Sequence, residues 1–186
     1  MNENIQVRAE ATPNPQTLRF VTNLSLTESP RDFKSVQETS NSPLARKLFG
    51  FPWTAGVFIG KDFVAITKQE WVDWETLADP LSDLILEHLE RGEPVLLKIE
   101  ESSPSSSSEI ESEEIKLIKK VLDEEIRPAV AMDGGDILFH KFEDGIVYLF
   151  MKGACSGCPS STMTLKMGIE TRLMQALPNI REVVAM

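Results

Sequence analysis

The chain predicts an α+β fold made of two small α/β-containing domains joined by a flexible serine-rich linker. Three observations carry this expectation. Strand-like and helix-like runs follow one another with no internal repeat. The stretch Glu100-Glu101-Ser102-Ser103-Pro104-Ser105-Ser106-Ser107-Ser108-Glu109 interrupts them with residues that cannot bury themselves. The length of 186 residues fits one or two small domains, and 41% hydrophobic content is enough to pack them. The boundaries fall at 1–99 for a first domain, 100–112 for the linker and 113–186 for a second domain. About 12 flexible residues span about 20 Å on average, so the two domains are expected to reorient freely.

In the first domain, Ile5-Gln6-Val7-Arg8-Ala9 alternates like a strand until Thr12-Pro13-Asn14-Pro15 breaks it. Thr17-Leu18-Arg19-Phe20-Val21 is a second strand. A short helix follows, with Ser42 as N-cap, Pro43 as its first residue and Gly50 as its stop. Val57-Phe58-Ile59 and Phe63-Val64-Ala65-Ile66 flank Gly60-Lys61-Asp62 as a hairpin. Trp74 to Arg91 reads as a helix because Leu81, Leu84, Ile85 and Leu89 recur on one face. Gly92 ends it, and Pro80 marks an initial turn or kink.

The second domain runs helix, strand, strand, cysteine loop, helix, strand. Ile115, Ile118, Leu122 and Ile126 form a helical stripe whose end Pro128 disturbs. Met132-Asp133-Gly134-Gly135-Asp136 turns, since paired glycines tolerate positive φ. Strands at 137–142 and 146–151 flank Glu143-Asp144-Gly145. A proline-opened helix covers 159–177, and Val183-Val184 closes the chain as a short strand.

The net charge of −10 argues against nucleic acid and against an anionic membrane surface as partners. Residues 1–112 hold 10 Lys and Arg against 18 Asp and Glu, a balance of −8. Residues 113–186 hold 9 against 11, a balance of −2, so the acid lies away from the cysteines. No run approaches the roughly 18 apolar residues of a membrane helix. The start, Met1-Asn2-Glu3-Asn4, has neither the basic flank of a secretory signal nor the Arg-rich character of a transit peptide. A reducing cytoplasm is the expected compartment.

The chemistry concentrates in the two cysteines, Cys155 and Cys158, within Gly153-Ala154-Cys155-Ser156-Gly157-Cys158-Pro159. Their spacing lets both sulfurs point at one ion from a tight turn. The glycines let the backbone curl close, and Ser160 and Ser161 offer further hydrogen bonds. The following helix N-terminus is expected to lower the thiol pKa, which suits metal binding and redox chemistry alike. Zinc and iron–sulfur centres usually take four protein ligands, and this chain offers two thiols. A metal site here is therefore expected to be incomplete without a second copy. Three readings stay open on the residues alone: a metal or cluster site, a thiol–disulfide oxidoreductase, and an inert structural pair, and a shared metal site could also be a zinc-bridged structural dimer.

The other chemistry-bearing residues have plainer readings. Asp133 and Asp136 fit ordinary turn chemistry. His88 and His140 read as packed or surface histidines. Trp53, Trp71 and Trp74 read as core or rim packing, with an interface role as the alternative. Met163, Met167 and Met174 read as core, with an adaptable contact surface as the alternative. Lys166 reads as a solvated helix residue able to offset an anionic centre.

The run from Gly153 to Glu170, GACSGCPSSTMTLKMGIE, resembles the signature of NifU C-terminal-like domains, and Arg127-Pro128 and Asp133-Gly134-Gly135-Asp136 fall at similar places. Ser42-Pro43-Leu44-Ala45, Phe58-Ile59-Gly60-Lys61-Asp62-Phe63 and Thr67-Lys68 resemble the Nfu N-terminal domain. The resemblance covers nearly all of the chain except the linker. It implies an Nfu-type iron–sulfur cluster scaffold and carrier, a binding protein rather than an enzyme. In such a protein Cys155 and Cys158 of two chains hold one [4Fe–4S] cluster in a homodimer. Implied partners are apo iron–sulfur target proteins and cluster donor or scaffold proteins, with the first domain recognising partners.

Overall fold

A computed structural model describes residues 4–97, 112–156 and 159–186, leaving aside the side chains of residues 156 and 159–162. Nearly all of the expected linker, and Gly157 and Cys158, lie outside the described residues. Within them the α+β expectation holds, with one mixed unit on each side of residue 100.

The first unit is a five-stranded antiparallel sheet with two helices. Its strands are β1 (Val7–Ala11), β2 (Thr17–Thr22), β3 (Arg31–Phe33), β4 (Thr54–Ile59) and β5 (Phe63–Lys68), in the order β1-β2-β5-β4-β3. Strand β3 is too short at three residues to show a period, and the 3₁₀ turn (Val36–Asn41) carries only one apolar residue to mark one. Helix α1 (Pro43–Phe49) begins as expected. Buried Ser42 accepts from the Ala45 N–H at 3.0 Å, and its hydroxyl donates to the Val95 carbonyl at 2.7 Å. Helix α2 (Trp74–Glu90) runs through Pro80, which lies on its exposed side, where water can satisfy the carbonyl that loses its helical partner. Leu77, Leu81 and Ile85 of α2 pack with Leu44 and Leu48 of α1 and with Val64 and Ile66 of β5.

Strand β5 is buried on both faces. Val64 and Ile66 enter the helix-covered core, while Phe63 and Ala65 join Phe58 on the opposite face. That second face needs a cover, and Ala131 of the second unit packs against it. The two units on either side of the linker touch along this face.

The second unit opens with α3 (Glu113–Val121), capped by the Ser112 hydroxyl, which accepts from the Ile115 N–H. The helical path continues through a π turn (Leu122–Ile126) into α4 (Arg127–Met132). Pro128 explains the wide turn. It has no N–H to return to the preceding turn, and its ring crowds the carbonyl four residues back; one extra residue relieves both. Strands β6 (Gly135–Glu143) and β7 (Ile146–Gly153) form a hairpin across Asp144 and Gly145, both at positive φ. Helix α5 (Pro159–Ala176) crosses over to β8 (Glu182–Ala185), which lies parallel to β7. Ile118, Leu122, Ile126 and Val130 pack with Leu149, Ile169 and Leu173 in a core of this unit's own residues.

Ser42→Ala removes both bonds of the α1 cap. It should lower the unfolding free energy of the first unit by about 1–2 kcal/mol. All three tryptophans lie there, so urea melts followed by tryptophan fluorescence read this unit directly.

Candidate metal centre

The far end of the β6–β7 hairpin builds the site. Strand pairing sets Gly135 opposite Gly153, so the Asp133–Asp136 turn and the start of the cysteine loop lie together. The Ala154 N–H donates to the Gly134 carbonyl at 3.1 Å. A Cβ on Gly135 would stand 2.7 Å from Cys155 Sγ and 2.6 Å from the Lys152 carbonyl. Gly153 sits at φ +68°, and a Cβ there would meet the Gly134 carbonyl at 2.6 Å. The loop then turns through a 3₁₀ segment (Ala154–Ser156) towards α5.

Cys155 is 4% exposed and packs into the second unit's core. Burial pushes its thiol up to about 12, and the carboxylates of Asp133 and Asp136 add to the rise. The expected surface thiol acidified by a helix N-terminus is overturned for Cys155. Helix α5 begins only at Pro159, and its dipole is outweighed by desolvation and two carboxylates. A protonated thiol is a weak nucleophile for disulfide exchange, whereas a bound cation displaces the proton. Cys158 lies outside the described residues, so its expected approach to Cys155 stays an expectation.

Asp133 and Asp136 do more than turn the chain. Their charges raise the thiol pKa, and burial raises the pKa of each carboxyl. Asp136 accepts from the Ile137 N–H at 2.8 Å and has Arg127 Nε at 3.2 Å. The paired glycines between them are the floor beneath the sulfur. Their presence next to a strand that pairs with the cysteine strand is the signal that a local reading passes over.

The first unit also reaches the site. The Asn14 side-chain N–H donates to the Ala154 carbonyl at 3.3 Å, and Arg19 Nη1 donates to the Ala131 carbonyl at 2.7 Å. Asp32, its carboxyl pKa raised by burial, has Lys152 and the Gly153 N–H as neighbours. A cleft of about 530 Å³ opens between the units, lined by Pro13 and Asn14 on one side and by Asp133, Cys155, Leu165 and Arg172 on the other.

The remaining candidates lie elsewhere. His88 is buried in the first unit, with Nε2 3.3 Å from the Pro94 carbonyl, and burial lowers its pKa. His140 lies against the Phe150 ring. Trp53 stacks on Phe51, and the Trp74 indole donates to the Pro15 carbonyl, so both pack at the core rim, while Trp71 is exposed. Met174 packs on the core as expected, but Met163 and Met167 are 67% and 65% exposed, which corrects their core reading. They occupy the side of α5 turned away from Ile169 and Leu173. Lys166 pairs with Glu182 at 3.2 Å. Among the described residues, no three His, Cys, Asp or Glu side chains converge to hold an ion.

Residues 118–184 match the NifU-like domain, and residues 5–92 match the N-terminal domain of the scaffold protein Nfu/NifU. A human protein named NFU1 iron-sulfur cluster scaffold homolog, mitochondrial, is 38% identical over 179 residues, which are 95% of this chain and 70% of that protein. The Drosophila ananassae protein of the same name is 37% identical over 185 residues, covering 97% of this chain and 64% of its own. NifU-like protein 4, mitochondrial, of Arabidopsis thaliana is 38% identical over 182 residues, with 95% and 64% covered. The chain belongs to the Nfu family of iron–sulfur cluster scaffolds. It spans less than two thirds of the length of the Drosophila and Arabidopsis relatives.

Two glycine variants test the packing beneath the sulfur. Gly135→Ala should destabilise the protein by about 1–3 kcal/mol, because backbone and sulfur would have to part. Gly168→Ala, on α5 with nothing within 4 Å of its Cβ, should instead stabilise by about 0.5–1 kcal/mol. Urea melts followed by circular dichroism compare the two.

Proposed function

We propose that this protein carries an iron–sulfur cluster, held as [4Fe–4S] between two chains by Cys155 and Cys158 of each, and passes it to apo-proteins. The observation that carries the reading is the setting of Cys155. It stands on a glycine floor at the rim of an open cleft, in a chain whose only thiols are this one and Cys158. Membership of a scaffold family and the printed names of the relatives support it.

The chain acts here as a carrier rather than a catalyst. Release proceeds by ligand exchange. Thiolates of the acceptor replace Cys155 and Cys158 at iron, the cluster keeps its oxidation state, and protons lost by the acceptor thiols are matched by those regained on the carrier. Two ligands per chain make this exchange easier than release from four cysteines in one fold. The first domain supplies recognition of cluster donors and acceptors, and tethering raises the effective concentration of acceptor near the cluster. No described helix is long and apolar enough to cross a membrane. The relatives are named as mitochondrial proteins, so the compartment proposed is the broader one, a reducing interior in which thiolates stay available, rather than the cytoplasm alone.

Anaerobic reconstitution followed by iron, sulfide and zinc analysis tests the cofactor. About two irons and two sulfides per chain, with a visible iron–sulfur absorption band, are expected. Stoichiometric zinc without sulfide would replace the reading with a zinc-bridged dimer, and a metal-free protein active in disulfide exchange would replace it with an oxidoreductase.

Cys155→Ala and Cys158→Ala test the ligands. Each should abolish stable iron and sulfide binding. Cys155→Ala should also cost about 1 kcal/mol of stability, because it empties a buried position. Normal cluster content in either variant would remove that residue from the ligand set.

A further inference from the structure

We propose that the first domain is a cap on the cysteine loop, and that a second copy of the chain displaces it when the cluster is loaded. The second half of this statement rests on the shared centre proposed above; the first does not. The cap has three anchors from separate parts of one sheet. Asn14 comes from the turn between β1 and β2, Arg19 from β2 and Phe58 from β4. Asn14 is 5% exposed and held from its own side: the Thr12 hydroxyl donates to its carbonyl at 2.9 Å, and the Gln16 N–H donates to its Oδ1 at 3.0 Å. Its remaining amide hydrogens are thereby aimed at the Ala154 carbonyl, one residue before Cys155. Arg19 is fixed by Glu10 at 2.6 Å and lies over the Phe63 ring while donating to the Ala131 carbonyl. Phe58 closes on Gly153, where an added Cβ would stand 3.0 Å from its ring.

These anchors do not hold the second domain together. Its core draws only on residues from Ile118 onwards, so the contact is an addition to a formed unit. The contact rests on a few side chains, so the two domains can part without unfolding either. What it covers is decisive. Pro13 and Asn14 line the same cleft as Cys155. The thiolates of a second chain must bind the same cluster as Cys155, so they must enter the space that Pro13 and Asn14 border. The cap and the second chain are therefore alternative occupants of one face. Each bound state weakens the other by the free energy of its own contact. The empty protein keeps its thiol shielded, and loading opens the domain pair.

Alkylation tests the cap without any cluster. In an apo Cys158→Ala background only Cys155 can react, and its rate with iodoacetamide at fixed pH reads how often the loop is uncovered. Asn14→Asp keeps the acceptor for the Gln16 N–H but turns the donor towards Ala154 into a repelling oxygen. It should raise the alkylation rate about 5- to 30-fold, the change in opening that one or two lost hydrogen bonds produce. Asn14→Ala with Arg19→Ala should do at least as much, and an unchanged tryptophan-fluorescence melt certifies the folded first domain. With both cysteines present, the same variants should form the cluster-linked dimer at lower chain concentration than the parent. An unchanged alkylation rate in a folded variant overturns the cap. Faster alkylation with an unchanged dimer threshold overturns displacement by a second copy. Loss of iron and sulfide binding by the parent would instead defeat the shared centre, leaving the alkylation result to stand or fall alone.

Discussion

The closeness of one sulfur to one peptide backbone sets the geometry of this site. Cys155 Sγ lies where Gly135 has no side chain, and Gly153 turns at positive φ against the Gly134 carbonyl. Neither approach survives a Cβ. Because Gly135 and Gly153 are paired across β6 and β7, the hairpin register and the position of the sulfur are one constraint. The consequence is a buried thiol whose pKa is raised by desolvation first and by the charges of Asp133 and Asp136 second.

A second constraint links the two domains. A sheet that buries one face on its helices ordinarily leaves the other to water. Here Phe58, Phe63 and Ala65 make that other face apolar, and Ala131 with the glycine turn covers it. The glycine turn pairs with the end of β7, which leads directly into the segment that carries the cysteine. Domain packing and the surroundings of Cys155 therefore share the same few residues.

Much of this is legible in the sequence. Ser42 capping α1, the hairpin around Gly60-Lys61-Asp62, the positive-φ turn at Gly134 and the order of elements in the second domain follow from local chemistry and period. Local chemistry was silent where the cause is tertiary. Pro80 could stay inside α2 because its side of the helix meets water, and the π turn before Pro128 is a solution that no residue pattern specifies. The thiol pKa lies beyond local reading, because burial and the charges of Asp133 and Asp136 outweigh a helix end. The contact between domains has a visible sign: Phe63-Val64-Ala65-Ile66 is continuously apolar, which is the pattern of a strand buried on both faces. Met163 and Met167 show the converse, since helical spacing alone does not say which side of α5 meets the core.

The central claim is that one chain holds half of a cluster site. Native mass spectrometry of the anaerobically loaded protein tests it most directly, because it weighs chains and inorganic content in a single species. The account predicts a mass of two chains plus one Fe₄S₄ unit, with the apo protein seen only as lighter species. A single chain carrying an intact cluster, or two chains held by zinc, would contradict it.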